Sequence, residues 1–177
     1  MSSGVMRIAE SYFQGLLRAP RGLGPVGELA GMWAPRAGTL GLTRAERVVN
    51  AFLIYTGEVG NGGHHQFFWN RGGAGALEAR VALRAMKLDD LADILDAAIL
   101  LFPGGVVPAD PDAIDAFYAT AAEKGHGARL DALDQAVYAI DDADDRALAY
   151  LREHEEEVLR PERGLPVLAT CPTVPIG

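Results

Sequence analysis

The chain has 177 residues, 49% of them apolar and 23% charged, a globular mix that supports a core and excludes wholesale disorder. Sixteen Lys and Arg against 24 Asp and Glu leave a net charge of −8. That excludes a general nucleic-acid binder, because phosphate contact needs a basic footprint. The one cysteine, Cys171, excludes an intrachain disulfide and a four-thiolate zinc site.

Charge is unevenly placed. Residues 1–50 hold six Arg and three Glu, whereas residues 51–177 hold ten basic and 21 acidic residues, a local balance of −11. Acidity is a property of the main body. No apolar run reaches about 18 residues and no signal-peptide pattern opens the chain, so a cytoplasmic protein with no membrane partner is expected.

Helical periodicity dominates. Val5, Ile8, Tyr12, Phe13, Leu16 and Leu17 follow the spacing of an amphipathic helix. Residues 18–41 are rich in Gly and Pro and read as an irregular connector, with one short helical turn within Val26–Trp33. Thr43 and Glu46 have the spacing of a capping box, and the apolar series Val48, Val49, Phe52, Leu53, Tyr55 and Val59 follows it. That helix ends at Asn61-Gly62-Gly63, where Asn and Gly suit a left-handed cap.

A short second helix, from His64 to Asn70, and a glycine-rich loop at 72–75 come next. Further helices are predicted over 74–88 (through Leu77, Val81, Leu83 and Met86), 89–102, from an Asp110-Pro111 start, over 130–140, and from about Asp144 to Leu159. Proline-rich residues from 161 onward read as an extended tail, and Cys171 within it has no positioned base and reads as inert. The fold class is all-α: a single domain of about seven or eight packed helices, since no strand alternation persists. Three regions are expected: an N-terminal helix and connector (1–42), a helical domain (43–160) and the tail (161–177).

The least ordinary stretch runs from Tyr55 to Asn70. Phe67, Phe68 and Trp69 are consecutive and point around most of a helix, so at least two must be buried. Gln66 and Asn70 lie one turn apart, and on so apolar a helix their amides are expected near the interior. Glu58 is placed to accept either from those amides or from the backbone N–H groups that open the second helix.

Glu58, Val59, Asn61, Gly62, Gly63, Gln66, Phe67, Phe68 and Asn70 resemble, in type and spacing, the signature of the bacterial DMP-type DNA-mimic protein family. The similarity extends to a Phe102-Pro103 break and an Asp115–Tyr118 helix, covering roughly residues 43–160. His64 departs from the pattern, which usually has an aromatic residue there. The resemblance implies an all-α, often dimeric fold with an acidic surface, and carboxylates that imitate DNA phosphates in at least one branch.

The sequence supplies such carboxylates. Asp89, Asp90, Asp93 and Asp96 fall on one predicted helix and Asp110, Asp112 and Asp115 on another; Asp131, Asp134, Asp141, Asp142, Asp144 and Asp145 follow. Acids three or four apart on a helix are separated by about 4.5–6 Å along its axis, and packed helices of this kind approach a phosphate-like density. The simpler alternative is that these acids stabilise helix N-termini and keep the surface solvated. Arg146, Arg152 and Arg160 also interrupt the C-terminal acids.

Reactive chemistry has weaker support. His64 and His65 are adjacent and point about 100° apart on a helix, so they form no ready chelate. The glycines at 62–63 and 72–75 follow no strand and precede no Lys-Ser/Thr pair, which removes a phosphate-loop reading. No cofactor or metal is expected. Two functions stand. One is a non-enzymatic acidic protein that binds a basic or DNA-binding protein, such as a transcription factor, and competes with DNA without touching nucleic acid itself. The other is a small-molecule-binding or catalytic domain centred on Glu58–Asn70. The N-terminal stripe is able to pair with a second copy, so a homodimer is a further expectation.

Overall fold

Thr43 opens the longest element, α2 (Arg44–Ala85), through the expected capping box. Its hydroxyl accepts from the Glu46 N–H at 3.2 Å, and the Glu46 carboxylate accepts from the Thr43 N–H at 2.8 Å. In this computed structural model, which describes residues 14–19, 23–37, 41–123 and 126–159, α2 is three helical segments in series. Gly62 and Gly63 break it after 44–61, and Gly72 breaks it again after 64–71, leaving a third segment over 73–85.

The remaining elements wrap this kinked rod. They are α1 (Leu23–Ala37), α3 (Asp89–Ile99), a 3-10 turn (Pro103–Gly105), α4 (Pro111–Glu123), α5 (Gly127–Tyr138), α6 (Ala143–Glu153) and α7 (Glu155–Leu159). All six of these α-helices pack on α2, and α1 also rests on α6. No strand occurs among the described residues, and the fold is all-α. Residues 14–17 are helical and include buried Leu17; Arg152 of α6 donates to the Leu17 and Ala19 carbonyls and fixes that stretch.

Three expectations change. The connector at 18–41 contains a 15-residue helix, α1, rather than one turn. Pro25 stands in its first turn, where the missing N–H costs no helical hydrogen bond, and Val26, Leu29 and Trp33 bury one face completely or nearly so. The last predicted helix is two, divided at His154. The third segment of α2 buries Ala76, Ala79, Ala82 and Leu83 and leaves Leu77 and Val81 exposed. Small alanines allow neighbouring helices to approach, so the apolar arc faces a different way from the one the larger residues suggest. The tail from residue 160, and most of the predicted 5–17 helix, lie outside the described residues.

An aromatic series threads the core toward the surface. Tyr55 meets Phe67 edge-on at 5.0 Å, Phe68 meets Phe102 edge-on at 5.1 Å, and Phe102 stacks on Phe117 at 4.0 Å. Such pairs add stabilisation beyond the area they bury.

Candidate functional site

The site is built on the first break of α2. Gly63 has φ +70°, a conformation that strains any residue with a Cβ, and a Cβ there would stand 2.2 Å from an Asp134 carboxylate oxygen. Gly63 is thus required twice over, for its backbone angle and for the close approach of α5. Asn61 itself is helical and exposed, and of the three residues only Gly63 has a positive φ; its ψ of −174° is extended and differs from the expected left-handed cap.

Asp134 uses that space. Its Oδ1 accepts from the backbone N–H of His64 at 2.9 Å and lies 2.5 Å from His64 Nδ1. A carboxylate only accepts, so Nδ1 carries the proton; in the neutral ring Nε2 then accepts from the Tyr55 hydroxyl at 3.0 Å. His64 is fully buried. Its departure from the aromatic pattern therefore places a polar ring in the core, where all its hydrogen-bonding atoms are satisfied. Burial, and then the Asp134 charge, push the Tyr55 hydroxyl pKa well above its ordinary value.

The Glu58 carboxylate gathers the polar residues of the motif on the outside. Gln66 Nε2 donates to it at 2.8 Å, Asn70 Nδ2 at 2.7 Å, and Arg71 lies at 3.3 Å. These contacts, led by the Gln66 hydrogen bond and followed by Asn70 and Arg71, hold its pKa below the ordinary value against some desolvation. Gln66 is half-buried and Asn70 exposed, so their amides sit at the surface rather than in the interior. Phe67 and Phe68 take the interior instead, and Trp69 remains 46% exposed. Glu58 takes the amides, while the N–H that opens the second segment goes to Asp134.

Beside this network is an open concavity of about 400 Å³ lined by Gly62, His65, Gln66, Trp69 and Asp115. His65 Nε2 lies 2.8 Å from Asp115 Oδ1, and its ring rests against Tyr118 at 4.3 Å. Neither Glu58 nor Asn70 lines the concavity. No group of three or more His, Cys, Asp or Glu is placed to hold a metal ion among the described residues. The second glycine break serves packing: a Cβ on Gly73 would stand 2.6 Å from the Val107 carbonyl oxygen, where the 106–109 loop crosses α2.

The candidate acidic residues divide into two groups. On α3, Asp89, Asp93 and Asp96 converge on Arg84 at 3.0, 2.6 and 3.1 Å, and Arg80 approaches Asp96 at 3.4 Å. Asp90 pairs with Arg146 at 2.8 Å, which lowers its pKa, and Asp142 lies 3.5 Å from the same guanidinium. Residues 110–138 differ: six acidic residues stand against Lys124 and Arg129. There Asp110 accepts from the Asp112 N–H at 3.1 Å at the start of α4. Asp112, Asp115 and Asp131 are exposed, with no arginine paired to them among the described residues. Asp141 is exposed as well, while Asp144 is partly buried and its pKa is raised, by burial first and then by Asp145. Neither Asp89 nor Asp144 caps its helix through its side chain; both sit in the first turn, where they still favour the dipole.

A kinked central helix clasped by six shorter ones, with a Tyr-His-Asp chain running out from the core at the kink, defines an all-α domain whose polar features sit around a hinge. Residues 40–154 match the family model described as DMP19-like protein, and the chain belongs to that family. No curated protein and no solved structure matches the chain. No helix among the described residues is long and apolar enough to cross a membrane.

Proposed function

We propose that this chain is a non-enzymatic, cytoplasmic interaction protein that presents carboxylates to a basic, DNA-binding protein and competes with DNA for it. Membership in the DMP19-like family supports the reading. The observation that carries it is the contrast between the two acidic faces. The α3 acids are neutralised by arginines within the fold, whereas α4 and α5 pack on each other and present Asp112, Asp115 and Asp131 to solvent. A field of this sign draws a basic groove and weakens as salt rises.

The test is displacement. A DNA-binding protein retained on the immobilised chain at low salt, and eluted by a salt gradient, should release a labelled DNA duplex when the free chain is added. Retained proteins whose DNA complexes are indifferent to the chain would overturn the reading. A homodimer belongs to the same proposal: Leu77 and Val81, one turn apart and 51% and 59% exposed, form an apolar stripe that a second copy would cover. Light scattering should give twice the chain mass, and Leu77→Glu should halve it.

A further inference from the structure

The concavity beside the hinge has a chemistry of its own, and the geometry points to a binding site for an arginine side chain of the protein partner. This rests on the reading of the chain as a binder of basic proteins and names the group that it would grip.

The hydrogen-bond inventory selects the ligand. His65 Nε2 is spent on Asp115, and the Gln66 amide nitrogen is turned toward Glu58. That turn leaves Gln66 Oε1 over Gly62, so close that a Cβ on Gly62 would stand 2.4 Å from it. Glu58 in this way sets which end of the amide faces the concavity, although it does not line the space itself. Two acceptors remain, Gln66 Oε1 and the Asp115 oxygen that His65 does not use, with the Trp69 indole N–H as the one side-chain donor beside them. Beside them stands the half-exposed indole of Trp69.

A group with several donors, no acceptor, a positive charge and a flat face fits that set. Guanidinium has all four properties: five N–H donors in a plane, permanent charge, and a tendency to lie on aromatic faces. Lysine has the charge but neither the plane nor the fork. An anion is disfavoured by Asp115, and a neutral planar group forfeits the charge-assisted hydrogen bonds. The volume of about 400 Å³ is open to solvent, which suits the end of a side chain presented by a larger body.

The experiment uses the full chain and three labelled peptides of the same length, with three arginines, three lysines or three citrullines spaced by glycine, followed by fluorescence anisotropy at low salt. The arginine peptide should bind about fivefold tighter than the lysine peptide, and the citrulline peptide should show no measurable binding. Trp69→Ala and Asp115→Asn should abolish the preference for arginine over lysine. Asp131→Asn, equal in charge change but outside the concavity, should weaken both cationic peptides alike and preserve the ratio. Because Trp69 and Asp115 are exposed, both variants should keep a wild-type thermal melt. Equal affinity for arginine and lysine would overturn the arginine site while leaving the acidic-partner reading intact. Equal affinity for citrulline would overturn it too, since charge would then play no part. Failure of both cationic peptides to bind would overturn the site and the function together.

Discussion

Asp134 and Tyr138, one turn apart on α5, fasten the two sides of the same hinge. Tyr138 donates its hydroxyl to the Val59 carbonyl at 2.7 Å, near the C-terminal end of the first α2 segment. Asp134 accepts from the His64 N–H at the start of the second. Each matches the partial charge of the helix end it meets, a donor at the carbonyl end and a carboxylate at the amide end. A single face of α5 thereby sets the angle between two helices far from it in sequence.

Removing the anionic fastening should be costly. Asp134→Ala leaves the buried His64 ring and a helix-opening N–H without their acceptor, and a charge-assisted bond of this kind is worth about 1.5–3 kcal/mol. We expect urea unfolding to show a loss of about 2–4 kcal/mol. A midpoint equal to wild type would show that the contact contributes nothing net.

Two glycines with nearly the same φ should respond differently, since ψ is −174° at Gly63, a region that only glycine favours, and 12° at Gly104. Gly63 and Gly104 have φ +70° and +67°, but a Cβ at Gly104 meets nothing within 4 Å, while one at Gly63 meets the Asp134 carboxylate. Gly104→Ala should cost about 1 kcal/mol from the left-handed strain alone. Gly63→Ala meets the less tolerated ψ and also displaces Asp134, and should exceed about 3 kcal/mol. Parallel thermal melts separate the two, and equal losses would refute the steric argument.

The Glu58 network should leave a mark on the pH dependence. Its carboxyl is held below the ordinary 4.5, chiefly by Gln66. The folded state then binds fewer protons than the unfolded state, so the contribution is complete above about pH 4.5 and is lost as pH falls through the lower folded value. Glu58→Gln should destabilise by about 1 kcal/mol at pH 7. The gap between variant and wild type should narrow below pH 4.5, and a gap that is constant from pH 7 to pH 3 would contradict this origin.

Arg84 offers a control for the placement of the acidic surface. It is exposed and holds Asp89, Asp93 and Asp96. Arg84→Ala releases Asp89 and Asp93, leaves Asp96 to Arg80, and should scarcely move the melt, as surface pairs contribute little. With the partner on α4 and α5, its affinity should stay within about twofold of wild type at physiological salt, where screening limits distant charge. A large gain would relocate the docking face to α3.

Local rules carried the sequence reading a long way. The Thr43–Glu46 box, the break at Gly62-Gly63, burial of two of the three consecutive aromatics, and the Pro111 start of α4 all follow from spacing within a few residues. The helix α1 was hidden because Gly24, Pro25, Gly27 and Gly31 depress its propensity, which burial of Leu29 and Trp33 overrides. The polar wiring was hidden for another reason. Asp134 and His64 are 70 residues apart, and Arg146 and Asp90 are 56 apart. No periodicity announces a partner at that range, so the same aspartates that look alike in sequence divide into a part-buried clamp, arginine-neutralised pairs and open carboxylates only once the helices are packed.

The carboxylate of Glu157 accepts from the Ala45 N–H at 3.0 Å, and Val158 beside it is buried. The first turn of the central rod and the last described turn of the chain thus share one latch, which closes the stretch from Ala45 to Glu157. Tension applied beyond residue 159 would reach the opening of α2 directly, without passing through the helices between them.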